Sequence, residues 1–213
     1  LAFDPNATNT SYGILTFGGT NEGNNTYAGT LSDGIVSDGS TDTLRLFTLD
    51  SGKWVLTGNF TVSYAVNVSG GVLQFGLGTS GTFSAPSITV SNGAEFDISR
   101  DDDFTFGIPI TGSAGNFRKL GAGKLTLTGA NTYGGTTFVD AGTLFSAHTG
   151  SGNLVVNGGA FDLNGGNRTV GTLTLNGGTV TNSTGGNNSY ITGGPYYLNR
   201  GTIAARLGGN GPI

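Results

Sequence analysis

Apolar and polar residues alternate in short runs along most of this chain. In residues 124–128, 172–175 and 87–91, Leu, Ile or Val stands at every second position, with Thr or Ser between. An alternation with a period of two places the apolar side chains on one face of a β-strand. Nearly every run is bounded by Gly, Asn or Asp, which form tight turns. The pattern therefore predicts short strands joined by turns.

The sequence contains few of the residues that favour helices. The whole chain contains two Glu, three Lys and one Gln, whereas Gly occurs 41 times among 213 residues. Glu, Lys and Gln are strong helix formers, and Gly disfavours helix interiors. The composition therefore agrees with the alternation, and we expect an all-β protein.

Internal repeats indicate how the strands are arranged. Residues 53–59 align with residues 124–130 at an offset of 71, and the same offset aligns Gly71 with Gly142 without a gap. Such copying is typical of solenoids and other repeat architectures. An immunoglobulin-type sandwich would not show it.

A shorter spacing lies beneath this offset. Neighbouring copies of a glycine that precedes alternating apolar residues lie 22, 17 and 19 residues apart, at Gly71, Gly93, Gly142, Gly159 and Gly178. About 20 residues make one coil of a β-solenoid, with glycine at corners that need a positive φ. The sequence therefore predicts a parallel β-helix of about ten coils, roughly 50 Å long. We expect it to be right-handed because parallel crossovers almost always are.

One continuous solenoid segment is expected over residues 1–213. Its approximate repeat units are 14–52, 53–114, 115–183 and 184–213. Neither end shows a capping unit, which a solenoid needs to cover its last apolar layer. We therefore expect this segment to be part of a longer chain, or a unit that stacks on copies of itself.

A family resemblance is concentrated in residues 115–144. From Lys119 to Leu144 the chain follows the pattern Lys-x-Gly-x-Gly-x-Leu-x-Leu-x-Gly-x-Asn-x-Tyr-x-Gly-x-Thr, then Val-x-x-Gly-x-Leu. This segment closely resembles the autotransporter-associated β-strand repeat. The copy at 53–73 keeps the strand alternation but departs from the pattern at its turns. The resemblance implies a passenger-type β-helix at a bacterial cell surface or outside the cell, in which such repeats are usually scaffold.

Composition narrows the functional classes further. The chain has no cysteine and a net charge of -4, and its nine basic residues are outnumbered by thirteen acidic ones. Disulfides and cysteine-based zinc sites are therefore excluded, and nucleic-acid binding is not expected. No apolar run approaches the ~18 residues that span a bilayer, so we expect no membrane insertion of this segment.

Acidic residues offer two candidate sites. Asp101, Asp102 and Asp103 form the densest acidic run, which is either a Ca²⁺ site or a solvated loop. Asp97 and Asp162 occupy equivalent positions in two repeats, each after a Phe. Carbohydrate-active β-helix enzymes need carboxylates on one face, but repetition of a residue favours a structural role.

Other candidate side chains are isolated or clustered near the end. His148 is the single histidine, and it lacks a third catalytic partner in the sequence, so an exposed turn residue is favoured. Tyr190, Tyr196 and Tyr197 cluster near Pro195, outside the repeat, and either contact a glycan or pack against a loop or a neighbouring subunit. Tyr27 and Tyr133 belong to the repeat motif, and we expect them to pack in the core.

The chain also carries eight Asn-x-Ser/Thr sequences, which are acceptor patterns for N-glycosylation. Their number only slightly exceeds the roughly five that this composition gives by chance, so they are weak evidence. They are Asn6, Asn9, Asn24, Asn59, Asn67, Asn167, Asn182 and Asn187.

Three functional hypotheses follow, and we assign no catalytic, metal or cofactor residue. The favoured one is a structural extracellular solenoid, a stalk or fibre element that contacts copies of itself or adjoining solenoid segments and can join end to end into filaments. The second is an adhesin that binds glycans or a host surface through loops 184–197 or 99–106. A carbohydrate-active enzyme ranks last.

Overall fold

The computed structural model describes residues 13–19, 23–32, 34–35, 41–42, 44–91, 93–146, 151–184 and 189–208, and every regular element in these ranges is a β-strand. The first nine strands are β1 (Gly13–Phe17), β2 (Asn24–Tyr27), β3 (Leu31–Ser32), β4 (Gly34–Ile35), β5 (Thr41–Asp42), β6 (Leu44–Leu49), β7 (Lys53–Leu56), β8 (Phe60–Thr61) and β9 (Val66–Val68). The next ten are β10 (Val72–Phe75), β11 (Phe83–Ser84), β12 (Ile88–Val90), β13 (Glu95–Ser99), β14 (Phe104–Phe106), β15 (Ile110–Thr111), β16 (Asn116–Leu120), β17 (Lys124–Leu127), β18 (Thr137–Val139) and β19 (Thr143–Ser146).

The remaining strands are β20 (Leu154–Val156), β21 (Ala160–Asp162), β22 (Arg168–Val170), β23 (Leu173–Leu175), β24 (Thr179–Thr181), β25 (Tyr190–Gly193), β26 (Tyr196–Leu198), β27 (Thr202–Ile203) and β28 (Arg206–Leu207). In the ranges given above, no helix is long and apolar enough to cross a membrane.

The strands stack into a β-solenoid, as the sequence predicts. The long sheet contains nine parallel strands, in the order β2-β7-β10-β13-β16-β18-β20-β23-β26, so its neighbours are about one coil apart in sequence. A five-stranded sheet (β1-β6-β9-β12-β15) and a six-stranded sheet (β14-β17-β19-β21-β24-β27) form other sides. Two three-stranded sheets, β11-β8-β3 and β22-β25-β28, complete the coils near the two ends. Successive strands along the chain therefore belong to different sheets, and each coil ends where the next strand of the first sheet begins.

Seven described coils carry strands on three sides, whereas the coils of β18–β19 and β20–β21 carry strands on two. Register partners in successive coils lie 17 residues apart at Thr137 and Leu154, and 23 apart at Val72 and Glu95. The first coil is longer because the antiparallel pair β4–β5 is inserted before β6. The prediction of about ten coils is thus slightly too high, although the fold is as predicted.

The core is a column of stacked apolar side chains. In the long sheet, Leu73, Phe96 and Phe117 are register partners and are fully buried. The rings of Phe96 and Phe117 lie 6.3 Å apart, and Tyr133 lies 5.8 Å from Phe117. Burying each such side chain contributes about 1.5–3 kcal/mol. The prediction that Tyr133 packs in the core is confirmed, and Tyr27 packs against the core while partly buried.

The two sequence copies lie on different sheets. Lys53–Leu56 form β7 in the long sheet, whereas Lys124–Leu127 form β17 in the six-stranded sheet. In the long sheet, β16 lies three coils after β7, with β10 and β13 between them. The next strand in sequence, β17, belongs to the six-stranded sheet on the next side of the coil. An offset of 71 residues therefore equals three turns and one side. Residues that match in sequence do not stack on each other in space.

Corner glycines are required by both conformation and space. Gly142 and Gly178 precede β19 and β24 with φ values of +61° and +72°. A Cβ atom at Gly142 would lie 2.3 Å from the carbonyl oxygen of Gly123, and one at Gly178 would lie 2.0 Å from that of Gly159. The carbonyl of one coil thus occupies the place of a side chain on the next. This confirms the predicted corner positions, although Gly159 itself does not have a positive φ.

We predict that Gly178→Ala destabilises the solenoid much more than Gly93→Ala. Both glycines have a positive φ, which costs an L-residue ~1–2 kcal/mol. A Cβ atom at Gly93 meets nothing within 4 Å, whereas at Gly178 it collides with a backbone carbonyl. Urea unfolding should show an additional loss of about 2 kcal/mol or more for Gly178→Ala. Equal midpoints for the two variants would show that coil spacing does not restrict this corner.

Candidate functional site

A charged cluster lies on the outer face of the long sheet. In β13, Phe96 and Ile98 are fully buried in the core, so the alternating residues Glu95 and Asp97 point to the other face. Arg118 of β16 is the register partner of Asp97. Two successive strands thus place two carboxyl groups and a guanidinium side by side.

Arg118 links three coils. Its Nε and Nη2 atoms donate to the two carboxylate oxygens of Glu95 at 2.7 and 3.1 Å, and its Nη1 donates to Asp140 Oδ2 at 2.7 Å. The guanidinium carbon also lies 4.1 Å from the centre of the Phe138 ring. Burial by itself lowers the pKa of Arg118, but the hydrogen bonds that it donates to Glu95 and Asp140 raise it above its usual range. Arg118 is therefore a permanent cation committed to two carboxylates.

Asp97 is a buried acid in the same cluster. Burial raises the pKa of Asp97 to about 8, and the charge of Glu95 and a hydrogen bond with it add to the shift. Lys53, with Nζ 3.9 Å from Asp97 Oδ2, and Arg118 oppose it. Among the described residues, Asp97 Oδ1 has no hydrogen-bond partner. Near neutral pH, Asp97 is therefore mainly protonated.

A second set of polar side chains continues from this cluster along the solenoid axis. Asn157 Nδ2 donates to Asp140 Oδ1 at 2.7 Å, Asn176 Nδ2 to Asn157 Oδ1 at 2.9 Å, and Asn199 Nδ2 to Asn176 Oδ1 at 2.8 Å. We call these four residues the asparagine ladder. Each directly follows a strand of the long sheet, namely β18, β20, β23 or β26. The ladder was not predicted from the sequence, although Asn or Asp directly follows the Val or Leu that ends each of these four strands.

The acidic run at 101–103 serves the corner of the next coil. Asp101 Oδ1 accepts a hydrogen bond from the Ala122 amide at 2.9 Å, and Asp103 Oδ1 accepts one from the Lys124 amide at 3.2 Å. The carboxylate of Asp102 accepts hydrogen bonds from Nε and Nη2 of Arg100, both at 2.8 Å. The hydrogen bond with Arg100 lowers the pKa of Asp102. The three carboxylates thus bond to separate partners, which disfavours a Ca²⁺ site at residues 101–103.

Two buried cations bond to corner carbonyls. Lys119 faces the core between Ile98 and Val139, and its Nζ donates to the carbonyl oxygens of Leu120, Gly121 and Ala141 at 2.6, 2.7 and 3.2 Å. Burial lowers the pKa of Lys119 to about 8, against the opposing effect of Asp101.

Arg168 plays a similar part near the other end. Its Nε and Nη2 donate to the Ser146 carbonyl at 3.0 and 2.7 Å, and Nη2 also donates to the Leu163 carbonyl at 2.6 Å. Burial lowers the pKa of Arg168. Such bonds provide side-chain donors to backbone carbonyls at the corners.

Asp97 and Asp162 do not form a pair. Asp97 lies in the long sheet and Asp162 in the six-stranded sheet, and both are buried. Their equivalence in sequence is therefore not an equivalence in space, because the copies are displaced by one side of the coil. Asp162 Oδ1 accepts hydrogen bonds from the amides of Asn164 and Ser183 at 3.0 and 3.1 Å. Asp162 is thus a turn residue.

The tyrosine cluster separates into different environments. Tyr196 packs against the core, and its hydroxyl donates to the Ile191 carbonyl at 3.1 Å. Tyr190 is half-buried, and its amide donates to Asn167 Oδ1 at 3.2 Å. Tyr197 points outwards with 54% of its surface exposed. Of the three, Tyr197 alone presents most of its surface to a ligand, and glycan contact stays a prediction.

The remaining sequence candidates carry no site in the described chain. His148 lies outside the described residues, as do Asn6, Asn9 and Asn187. Among the other glycosylation patterns, the Oδ1 atoms of Asn59 and Asn182 accept hydrogen bonds from the amides of Thr82 and Gly165 at 3.1 and 2.8 Å. Glycosylation stays a prediction.

Chemically, the arrangement favours bonding between coils. Within the described ranges, no three His, Asp or Glu side chains are grouped so that they could hold a metal ion. The carboxylates of Asp101, Asp103 and Asp162 accept amide hydrogen bonds, and those of Glu95 and Asp140 bond to Arg118. A general acid or base would have to face a substrate instead.

Comparison with known families supports the resemblance seen in the sequence. The passenger-associated-transport-repeat family matches residues 49–75 and 117–144. The second match contains the motif from Lys119 to Leu144 and the strands β16 to β18, and the first covers β7 to β10. The prediction of an autotransporter passenger repeat is confirmed.

A curated relative agrees with this family. The adhesin BmaC autotransporter of Brucella suis biovar 1 (strain 1330) is 37% identical over 108 residues, which cover 50% of this chain. The matched region is 3% of the length of that adhesin. No solved structure matches the chain.

We predict that Asp97→Asn stabilises the protein at pH 8 and flattens its pH dependence. The pKa of Asp97 is near 8 in the folded protein and near 3.8 in a free side chain, so the folded state holds this proton more tightly. Stability therefore falls as pH rises from about 4 through 8. An uncharged amide of the same shape removes this loss and should add ~1–3 kcal/mol at pH 8.

Urea unfolding at pH 5 and pH 8 measures this difference. Asp103→Asn is the matched control for the change from Asp to Asn, because the side chain of Asp103 is 76% exposed and lies outside the cluster of Asp97, Glu95 and Arg118. A loss of stability with pH in Asp97→Asn that is as steep as in the parent protein, or steeper, would contradict the assignment.

Proposed function

We propose that this autotransporter passenger repeat protein is a rigid, non-enzymatic stalk segment of a secreted or cell-surface protein. The observation that carries the proposal is that its charged side chains are used between coils. Arg118 joins three coils, Lys119 joins two, and Asp101 and Asp103 each bond to the coil that follows. Side chains committed in this way stiffen a rod and leave few groups for chemistry.

The extracellular location rests on the family and on the relative. The matched repeats are passenger-associated, and the similar protein is an autotransporter adhesin many times longer than this chain. A cysteine-free solenoid suits such a location, because repetition of coils stabilises it without cross-links. In a protein of that kind, a segment of this size would hold other parts at a distance from the cell.

End-to-end joining is a finer part of this proposal. Leu198 is in register with the buried Leu175, yet 46% of its surface is exposed on the last long-sheet strand that the structure describes. A further coil would cover it. Residues 163–213 contain three Arg and no acidic residue, whereas residues 1–50 contain six acidic residues and one Arg. Opposite charges in these two stretches of sequence would favour contact between copies of the chain.

An adhesive role is the alternative, because the relative is an adhesin. The loop at 99–106 is less suited to it than the sequence indicated, since Arg100 and Asp101 are bonded to neighbouring coils. The exposed Tyr197 lies at the end of the 184–197 segment and favours a surface role there. This alternative requires a specific surface, whereas a stalk requires length and stiffness.

Deleting one whole coil distinguishes the two roles. Lys53 and Val72 are register partners, so removal of residues 53–71 joins Gly52 to Val72 and places β10 where β7 was. We expect bacteria that export the shortened protein to display it normally, with their attachment to host cells unchanged. Solution scattering should show a rod shorter by about 4.8 Å.

Removal of residues 53–61 is the matched control. It leaves part of a coil and breaks the register, and it should abolish folding and display. If the whole-coil deletion folds and is displayed but the cells lose an attachment that the parent protein supports, the stalk role is wrong. Long uniform filaments of the purified parent chain in electron micrographs would support end-to-end joining, whereas isolated short rods would overturn it.

A further inference from the structure

The asparagine ladder has a second column of side chains beside it. Phe138, Val155, Thr174 and Tyr197 precede Asp140, Asn157, Asn176 and Asn199 by two residues each, so each pair lies on the same outer face. We call them the outer column. They are register partners in successive strands of the long sheet.

The backbone holds the ladder in place. The amides of Asn157, Asn176 and Asn199 each donate to a carbonyl of the preceding coil at 2.9 Å. Within the ladder, Asn157 and Asn176 each donate one side-chain hydrogen bond and accept one, and Asn199 donates one. Each side-chain amide therefore keeps a further N–H and a lone pair for a ligand. Asn176 and Asn199 are exposed, and Asp140 and Asn157 are half-buried. The ladder thus presents fixed hydrogen-bonding groups at a regular spacing.

We propose that the asparagine ladder and the outer column bind an extended, uncharged polysaccharide along the solenoid axis. Coils repeat every ~4.8 Å, close to the length of one pyranose unit in an extended chain. Amide groups can donate to and accept from sugar hydroxyls, and the exposed Tyr197 ring can stack on a sugar face. One sugar would lie against each coil.

Charge and size favour this occupant. The ladder and outer column contain one carboxyl group, that of Asp140, which accepts a hydrogen bond from Arg118. An anionic polymer would meet no free cation within these two columns. Four coils with two side chains each form a strip about 15 Å long and about 7 Å wide, and its area is far below the ~800 Å² per partner of a stable protein interface. A narrow linear ligand fits this strip better than a folded protein.

Binding of cellohexaose and chitohexaose, measured by calorimetry on the whole chain, tests the proposal. We expect at least one of them to bind, and Tyr197→Ala and Asn176→Ala each to weaken it about tenfold. Thr89→Ala is the matched control, because Thr89 forms a hydroxyl ladder with Thr111 on the five-stranded sheet, at 3.2 Å. It should leave affinity unchanged. Tyr197 is largely exposed, so its removal does not endanger folding.

Three outcomes would overturn the proposal. They are no binding of either neutral hexasaccharide at millimolar concentration, unchanged affinity in Tyr197→Ala, and binding of a heparin hexasaccharide alone, weakened by salt. The last would indicate electrostatic attraction elsewhere. The inference goes beyond the stalk role and can fail separately from it, because a solenoid that binds no sugar can still act as a stalk.

Discussion

The short distance between coils determines most other features of this molecule. Parallel strands stack about 4.8 Å apart, so each residue lies against its register partner above and below. Inside, this brings Leu73, Phe96 and Phe117 into one apolar column. At the corner before β24, it brings the Gly159 carbonyl so close to Gly178 that no side chain fits. The same spacing selects aromatic stacking in the core and glycine at the corners.

Polar side chains form hydrogen bonds with the backbone groups at the corners. A corner breaks the strand ladder and leaves amides and carbonyls that need partners. Carboxylates such as Asp101 accept from corner amides, and buried cations such as Lys119 and Arg168 donate to corner carbonyls. Bonds of this kind contribute ~0.5–1.5 kcal/mol, and those to charged groups about twice as much. The protein therefore uses its few charges to bond neighbouring coils, and this use underlies the proposed stalk role.

Much of the fold was readable from the sequence because alternation and glycine spacing report directly on strands and corners. The register between repeats was not, since matching residues such as Lys53 and Lys124 lie on different sheets. The motif does include Lys119, but a sequence pattern cannot show that an ammonium group is buried against three carbonyls. The asparagine ladder escaped detection because its spacing varies with coil length. Sequence periodicity defines the coil, whereas side-chain bonding depends on which coil lies next to it.

Hydrogen exchange of corner amides, followed by NMR at neutral pH, tests most directly whether side chains hold the coils together. The amides of Ala122 and Lys124 donate to the carboxylates of Asp101 and Asp103. They should exchange about as slowly as the neighbouring strand amide of Leu125, because all open only when coils separate. Exchange of these corner amides at the rate of an exposed loop, with Leu125 still protected, would contradict the central role of side-chain bonds between coils.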